Sequence, residues 1–173
     1  MLFRSGEGFL PMVTQQWEDS VRNVVEDNTR KIFIRTGIVL GREDGILPKM
    51  LRTFRFFIGG PLGGGKQWLS WIHIDDEIEA IVMLAETKEI SGAVNLTAPN
   101  PVTMNEFAKT LGKTMHKPSL LPVPAFILKI IFGDMAKEML LQGQKVIPGR
   151  LQEMGFEFKY TNLESALNDL LNG

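Results

Sequence analysis

The chain has 173 residues, 44% of them hydrophobic and 23% charged, with a formal net charge of −1, which is enough to bury one real core. Nineteen Lys and Arg against twenty Asp and Glu leave no electrostatic excess to hold a phosphate backbone, so no nucleic-acid partner is expected. The absence of cysteine excludes disulfides, thiolate metal sites and a thiol nucleophile and fits a reducing, cytoplasmic setting, and two histidines, His73 and His116, are too few for most zinc sites.

The first residues lack the charged and apolar regions of a secretory signal. Leu2-Phe3-Arg4-Ser5 is the translation of CTC TTC CGA TCT, the close of a common sequencing adapter, so residues 1–8 are expected to be a non-native or disordered start. Leu10, Val13, Trp17, Val21, Val24 and Val25 recur at helical spacing. Lys31 to Leu40 then reads as one strand closed by Gly41, and Ile46, Leu47, Met50, Leu51 and Phe54 form a second helical stripe. Gly59 to Gly65 holds five glycines and a proline and must be loop.

Leu69 to Ile74 is a short strand, and Asp75 or Asp76 is placed to cap a helix bearing Ile78, Ile81, Val82 and Leu84. Ala93 to Leu96 is a further strand, followed by a turn to Val102 and a capping box from Thr103 and Glu106. The longest apolar stretch, Leu120 to Phe132, is interrupted by Pro122, Pro124 and Lys129 and falls short of the roughly 20 residues a membrane helix needs, so no membrane partner is expected. Leu120 to Pro124 is expected to be extended, with short helices over Ala125 to Phe132 and Met135 to Leu141. Pro148 starts a turn ending before Gly155, Phe156, Phe158 and Tyr160 alternate as an edge strand, and Asn162 caps a last helix. Alternating helix and strand indicate an α/β fold.

Three constellations carry candidate chemistry. Gly60 to Lys66 fits the spacing G-x-x-x-x-G-K, but Gln67 follows where Ser or Thr should hold magnesium, and the loop comes after a helix and before a strand, the reverse of a phosphate loop. His73 lies between Ile72 and Ile74 and faces away from both, either toward a ligand or as a satisfied sheet histidine beside the aspartates. Asp75 and Asp76 are either a paired acid and base or cap and first-turn charges on a helix dipole.

Six segments in order carry a family resemblance: Phe9-Leu10 with Trp17-Glu18, Ile34 to Gly41, Gly59 to Gly63, Trp68 to Asp76, Asn95 to Thr103, and Gln144 to Pro148. Together they resemble the atypical, epimerase-like extended short-chain dehydrogenase/reductases, whose members are described as NAD(P)-dependent epimerase/dehydratase-like proteins with a C-terminal domain of unknown function. The resemblance implies the C-terminal half of a doubly wound Rossmann-type fold over residues 9–119 and a small α+β substrate-side domain over residues 120–173. It implies that Thr36, Gly37, Ile38 and Val39 pass the nicotinamide end of the cofactor, Thr36 with its hydroxyl and Gly37 by allowing close approach. Arg35, Lys66, Gln67 and His73 become substrate-side candidates, Arg35 being equally readable as a strand-end ion pair.

Ile38 stands where nucleotide-sugar epimerases carry an asparagine, and Gln67 where an arginine often grips the same phosphate. A standard nucleotide sugar is therefore disfavoured, unless Lys66 compensates. The family's catalytic tyrosine and the lysine four residues later are absent: the single tyrosine, Tyr160, is followed by Glu164, and no glycine fingerprint opens the chain. The expectation is a C-terminal piece of an NAD(P)-dependent oxidoreductase or epimerase, with no catalytic residue of its own, that binds no cofactor alone and aggregates or turns molten. The alternative is a non-catalytic binding or regulatory protein on the same scaffold; a Tyr-x-x-x-Lys and a glycine-rich turn upstream would discriminate the two. In the intact parent, Gly37→Val is expected to weaken cofactor binding while sparing the fold.

Overall fold

The computed structural model describes residues 9–22, 29–119 and 143–173. In chain order these form α1 (Phe9–Arg22), β1 (Ile32–Thr36), β2 (Ile38–Leu40), α2 (Ile46–Arg55), β3 (Trp68–Leu69), β4 (Trp71–His73), α3 (Ile74–Glu86), β5 (Gly92–Leu96), β6 (Val102–Thr103), α4 (Met104–Thr114), α5 (Gly149–Glu153) and α6 (Leu163–Asn172). The sequence expectations for residues 1–8, for Val24 and Val25, and for Leu120 to Leu141 lie outside the described residues.

β1 pairs in parallel with β5, β2 in parallel with β4, and β3 antiparallel with β6. Side chains alternate across a strand, and here the alternation separates two cores. Ile38, Leu40 and Trp71 face one layer, where α2, α4 and α6 contribute Phe54, Phe107 and Leu167. Val39 and Ile72 face the other, where α3 and α5 contribute Leu84 and Leu151. The result is a helix, sheet, helix sandwich with parallel strands.

The expected single strand from Lys31 to Leu40 is two strands, because the chain changes partner at Gly37. Its amide donates to Leu96 O at 2.9 Å, and the next amide, of Ile38, donates to Ser70 O at 2.8 Å. A Cβ at Gly37 would sit 2.5 Å from Ser70 O and 2.8 Å from Thr97 Cγ2, so only glycine lets the two strands meet here. Gly37→Val therefore breaks this join, which corrects the expectation that it would spare the fold.

The expected strand from Leu69 to Ile74 is likewise interrupted, at Ser70, and Ile74 already belongs to α3. Ser70 spends its hydroxyl on a segment distant in sequence: Oγ donates to Gln144 O at 2.7 Å and accepts from Val146 N at 2.9 Å. Gly143 abuts the backbone of Trp68, where any side chain would collide.

The cap of α3 is neither aspartate. His73 Nδ1 accepts from Asp75 N at 3.1 Å, and Asp76, fully buried, accepts the amides of Lys159 at 2.8 Å and Tyr160 at 3.0 Å. Those amides are thereby unavailable for a ladder, so Phe156 to Tyr160 is not the expected edge strand; Phe156 and Phe158 stack edge to face instead. The capping box of Thr103 and Glu106 and the Asn162 cap form as expected. The apolar stripe of α3 does not: Ala80 and Leu84 face the core, whereas Ile78, Ile81 and Val82 are 53, 40 and 49% exposed.

Candidate functional site

β1 and β5 run in parallel and end together, Thr36 opposite Leu96. Carboxyl ends of parallel strands are where ligands sit in open α/β sheets, and a cavity of about 410 Å³ opens there, lined by Trp17, Glu18, Arg35, Thr36, Gly37, Ser70, Asn95, Thr97 and Val146 among others. Arg35 grips Glu18 of α1 through both Nε and Nη2 at 2.7 Å. This bidentate geometry is the strong form of an ion pair, and the Glu18 hydrogen bond pushes the Arg35 guanidinium further up from its usual range. It pins α1 over the end of β1 and makes one wall.

Thr36 Oγ1 donates to Glu77 Oε1 at 2.9 Å. Glu77 is only 6% exposed, and burial raises its pKa, opposed by the Thr36 hydrogen bond. Its second oxygen, and the buried Thr97 Oγ1 at the cavity, have no hydrogen-bond partner among the described residues. Buried polar atoms are seldom left so. Val146, held by Ser70, completes the opposite wall.

His73 lies apart from this cavity. Its ring stacks on Tyr160 with centroids 3.8 Å apart, it is 1% exposed, and burial lowers its pKa, with Asp75 and then Asp169 acting in the opposite direction. A neutral ring is also what an Nδ1 acceptor requires. Nε2 lies 3.4 Å from Asp169 Oδ2 in an alignment too poor for a hydrogen bond. Burial, then a hydrogen bond to Asp169, raises the Tyr160 phenol, and that bond holds the Asp169 carboxylate down. This cluster joins the chain's last segment to β4 and α3.

Of the residues expected at a site, Arg35, Thr36 and Gly37 come together at the cavity. Ile38 and Val39 do not line it; they point into the two cores. Lys66 and Gln67 lie on the glycine-rich loop, where Gln67 Nε2 donates to Leu62 O at 2.7 Å. Sequence reasoning missed Glu18, Ser70, Glu77, Thr97 and Val146 as contributors. Ser70, polar between Leu69 and Trp71, and Glu77, acidic beside two aspartates, were the readable signals.

A two-sided parallel layer with a cavity at its strand ends defines the class: a Rossmann-type α/β protein. Residues 123–170 match a family model described as a domain of unknown function, DUF1731. The chain is 43% identical over 167 residues to the chloroplastic epimerase family protein SDR39U1 homologue of Arabidopsis thaliana, covering 96% of this chain and 48% of that protein. The crystal structure of human epimerase family protein SDR39U1 (isoform 2) with NADPH superimposes with a TM-score of 0.85 at 36% identity, over 92% of this chain and 54% of that one. A nucleoside-diphosphate sugar epimerase from Corynebacterium glutamicum gives 0.71 at 30% identity, over 94% of this chain and 30% of that one.

The chain belongs to the epimerase-like family of extended short-chain dehydrogenase/reductases. It spans about half the length of the curated relatives it matches. No helix among the described residues is long and apolar enough to cross a membrane.

Proposed function

We propose that this chain is the carboxyl-terminal half of an NAD(P)-dependent epimerase- or dehydratase-like oxidoreductase, forming the nicotinamide-side wall and the substrate side of its active site. The observation that carries the reading is the cavity at the ends of β1 and β5, floored by a glycine that tolerates no side chain. The residues present fit that end of the cofactor: Gly37 leaves bare backbone, Thr36 offers a hydroxyl, and Thr97 keeps an unpaired hydroxyl at the cavity. When bound, the cofactor supplies hydride acceptance and donation. The chain's own part is to shape the pocket. The Arg35–Glu18 pair fixes α1, the Glu77 carboxyl orients the Thr36 hydroxyl, and Ser70 holds Val146 as the facing wall.

The proton-transferring tyrosine and lysine belong to the preceding half on this reading, so hydride transfer at a hydroxyl or ketone carbon is a property of the longer protein. The Corynebacterium relative suggests a nucleotide sugar, but Ile38 is packed into the core and Gln67 is tied to Leu62, so neither grips a diphosphate. A sugar-like alcohol without that grip is the favoured substrate class.

The test uses the longer protein with its upstream half restored. Val146→Trp, which fills the cavity from its wall, is expected to weaken NADPH binding at least about tenfold, roughly 1.4 kcal/mol, with the thermal midpoint little changed. Unaltered NADPH affinity in that variant removes the cavity from the cofactor site.

A further inference from the structure

Between Asp44 and Asp75 the sequence has no acidic residue and four basic ones, Lys49, Arg52, Arg55 and Lys66, in a chain whose total charges nearly cancel. α2 turns Ile46, Leu47, Met50, Leu51 and Phe54 into the core, which leaves Lys49, Arg52 and Arg55 along its exposed side. The helix then runs out into Phe56, Phe57 and Ile58, which are 75, 56 and 52% exposed. Phe57 adopts φ 60°, a left-handed conformation that bulky side chains rarely take. Lys117 places its ammonium 3.8 Å from the centre of the Phe57 ring. Three consecutive large apolar side chains in water, one of them on an unfavourable backbone under a lysine ammonium, are not explained by either core or by the cavity.

The expectation of no membrane partner rested on the lack of a spanning segment, which leaves surface binding open; we propose that the exposed side of α2 and its Phe56–Ile58 tip form a docking surface for an anionic lipid bilayer. The apolar tip enters the interfacial layer, while Arg52, Arg55 and Lys117 face the headgroup phosphates, as on amphipathic surface-bound elements that span nothing. A second copy of the chain is the poorer occupant, because a two-fold contact through this surface brings two faces of the same positive charge together. A nucleic acid is poorer as well. Ile58 offers no face for base stacking, and the Phe57 ring is already covered by Lys117.

The full chain is tested by co-sedimentation with vesicles of phosphatidylcholine alone and of phosphatidylcholine with phosphatidylserine. Preferential binding to the serine-containing vesicles, weakened by salt, is expected. Arg52→Glu with Arg55→Glu should lower partitioning by at least about tenfold, since each cation near such a surface is worth about a fivefold factor. Phe57→Gly separates docking from folding: glycine suits φ 60°, so this variant should melt no lower than the wild type yet bind the vesicles less. Ile78→Ser with Val82→Ser, on the exposed side of α3, should retain binding. Equal binding to both vesicle types, or partitioning lost only with the α3 pair, overturns the proposal. So does self-association abolished by Phe57→Gly without any vesicle binding, which would give the surface to a second copy.

Discussion

Glu77 is the residue whose environment costs most for what it holds. A carboxylate buried with one hydrogen bond and one unpaired oxygen is cheaper as the neutral acid, so its folded pKa rises above the ordinary 4.5. The sign follows from linkage: the folded form binds the proton more tightly than the unfolded one. Its contribution is full below pH 4.5 and is lost as pH climbs through the raised value. Glu77→Gln keeps an acceptor for Thr36 and removes the titration. Denaturant melts should therefore show the variant gaining on the wild type as the pH rises above 4.5; a gap that does not change with pH contradicts the assignment. Gly37 is the other position where one atom decides. A single methyl meets a backbone oxygen at 2.5 Å, so Gly37→Ala should destabilise by about 1–3 kcal/mol, measured in the same melts.

At the scale of elements, the joint between α3 and the last segment depends on Asp76. Its two oxygens take two amides in a fully buried setting, and charge-assisted bonds of this kind contribute about 1.5–3 kcal/mol each. Asp76→Ala leaves both amides unpaired and should cost about 3 kcal/mol or more, whereas Asp75→Ala, at an exposed side chain, should cost under about 1 kcal/mol. Equal effects in the two variants would sink the clamp. Helices with one apolar stripe were legible beforehand: every member of the α2 stripe is buried, and both side-chain caps after Thr103 and Asn162 formed. The strand interruptions were not. A period of two does not change when a strand exchanges one partner for another, so nothing between Lys31 and Leu40 announced the switch except a glycine with several readings. The Phe156 to Tyr160 alternation misled for a related reason. Alternation reports two differently solvated sides, and here the backbone amides were claimed from a distance by Asp76, a residue 83 positions away from Lys159 in sequence. Half of the cavity was legible, in Arg35 to Gly37; the rest came from α1, α3 and the segment at Val146, whose convergence no local pattern encodes.

For the molecule as a whole, two closed cores stand beside uncovered apolar surface. Trp17 is 70% exposed, Ile34 41%, and Ile78, Ile81 and Val82 between 40 and 53%, more than isolated surface residues require, and β1 pairs on one side only among the described residues. Packed cores argue for a folded unit that associates through these faces rather than a molten one. Concentration-dependent self-association is therefore expected, relieved by Ile78→Ser with Val82→Ser in sedimentation; a strictly monomeric chain would contradict it. On the proposed function, the affinity for cofactor follows from which half of the fold this chain supplies. Most of the binding of a dinucleotide in this fold comes from pyrophosphate on a helix N-terminus after a glycine-rich turn and from ribose contacts in the first strands, and the sequence holds no such turn at its start. On the proposed function the cavity meets the nicotinamide end alone, with two threonine hydroxyls, bare backbone at Gly37 and a guanidinium already committed to Glu18. A few hydrogen bonds at about 1 kcal/mol each do not offset an association cost of about 4 kcal/mol or more. Titration of the chain with NADPH and with NADH by calorimetry should accordingly show no saturable heat, while the longer protein binds. Micromolar binding by the chain itself would mean that its own residues hold the phosphates, and Lys66 on the glycine-rich loop would then be the first position to replace.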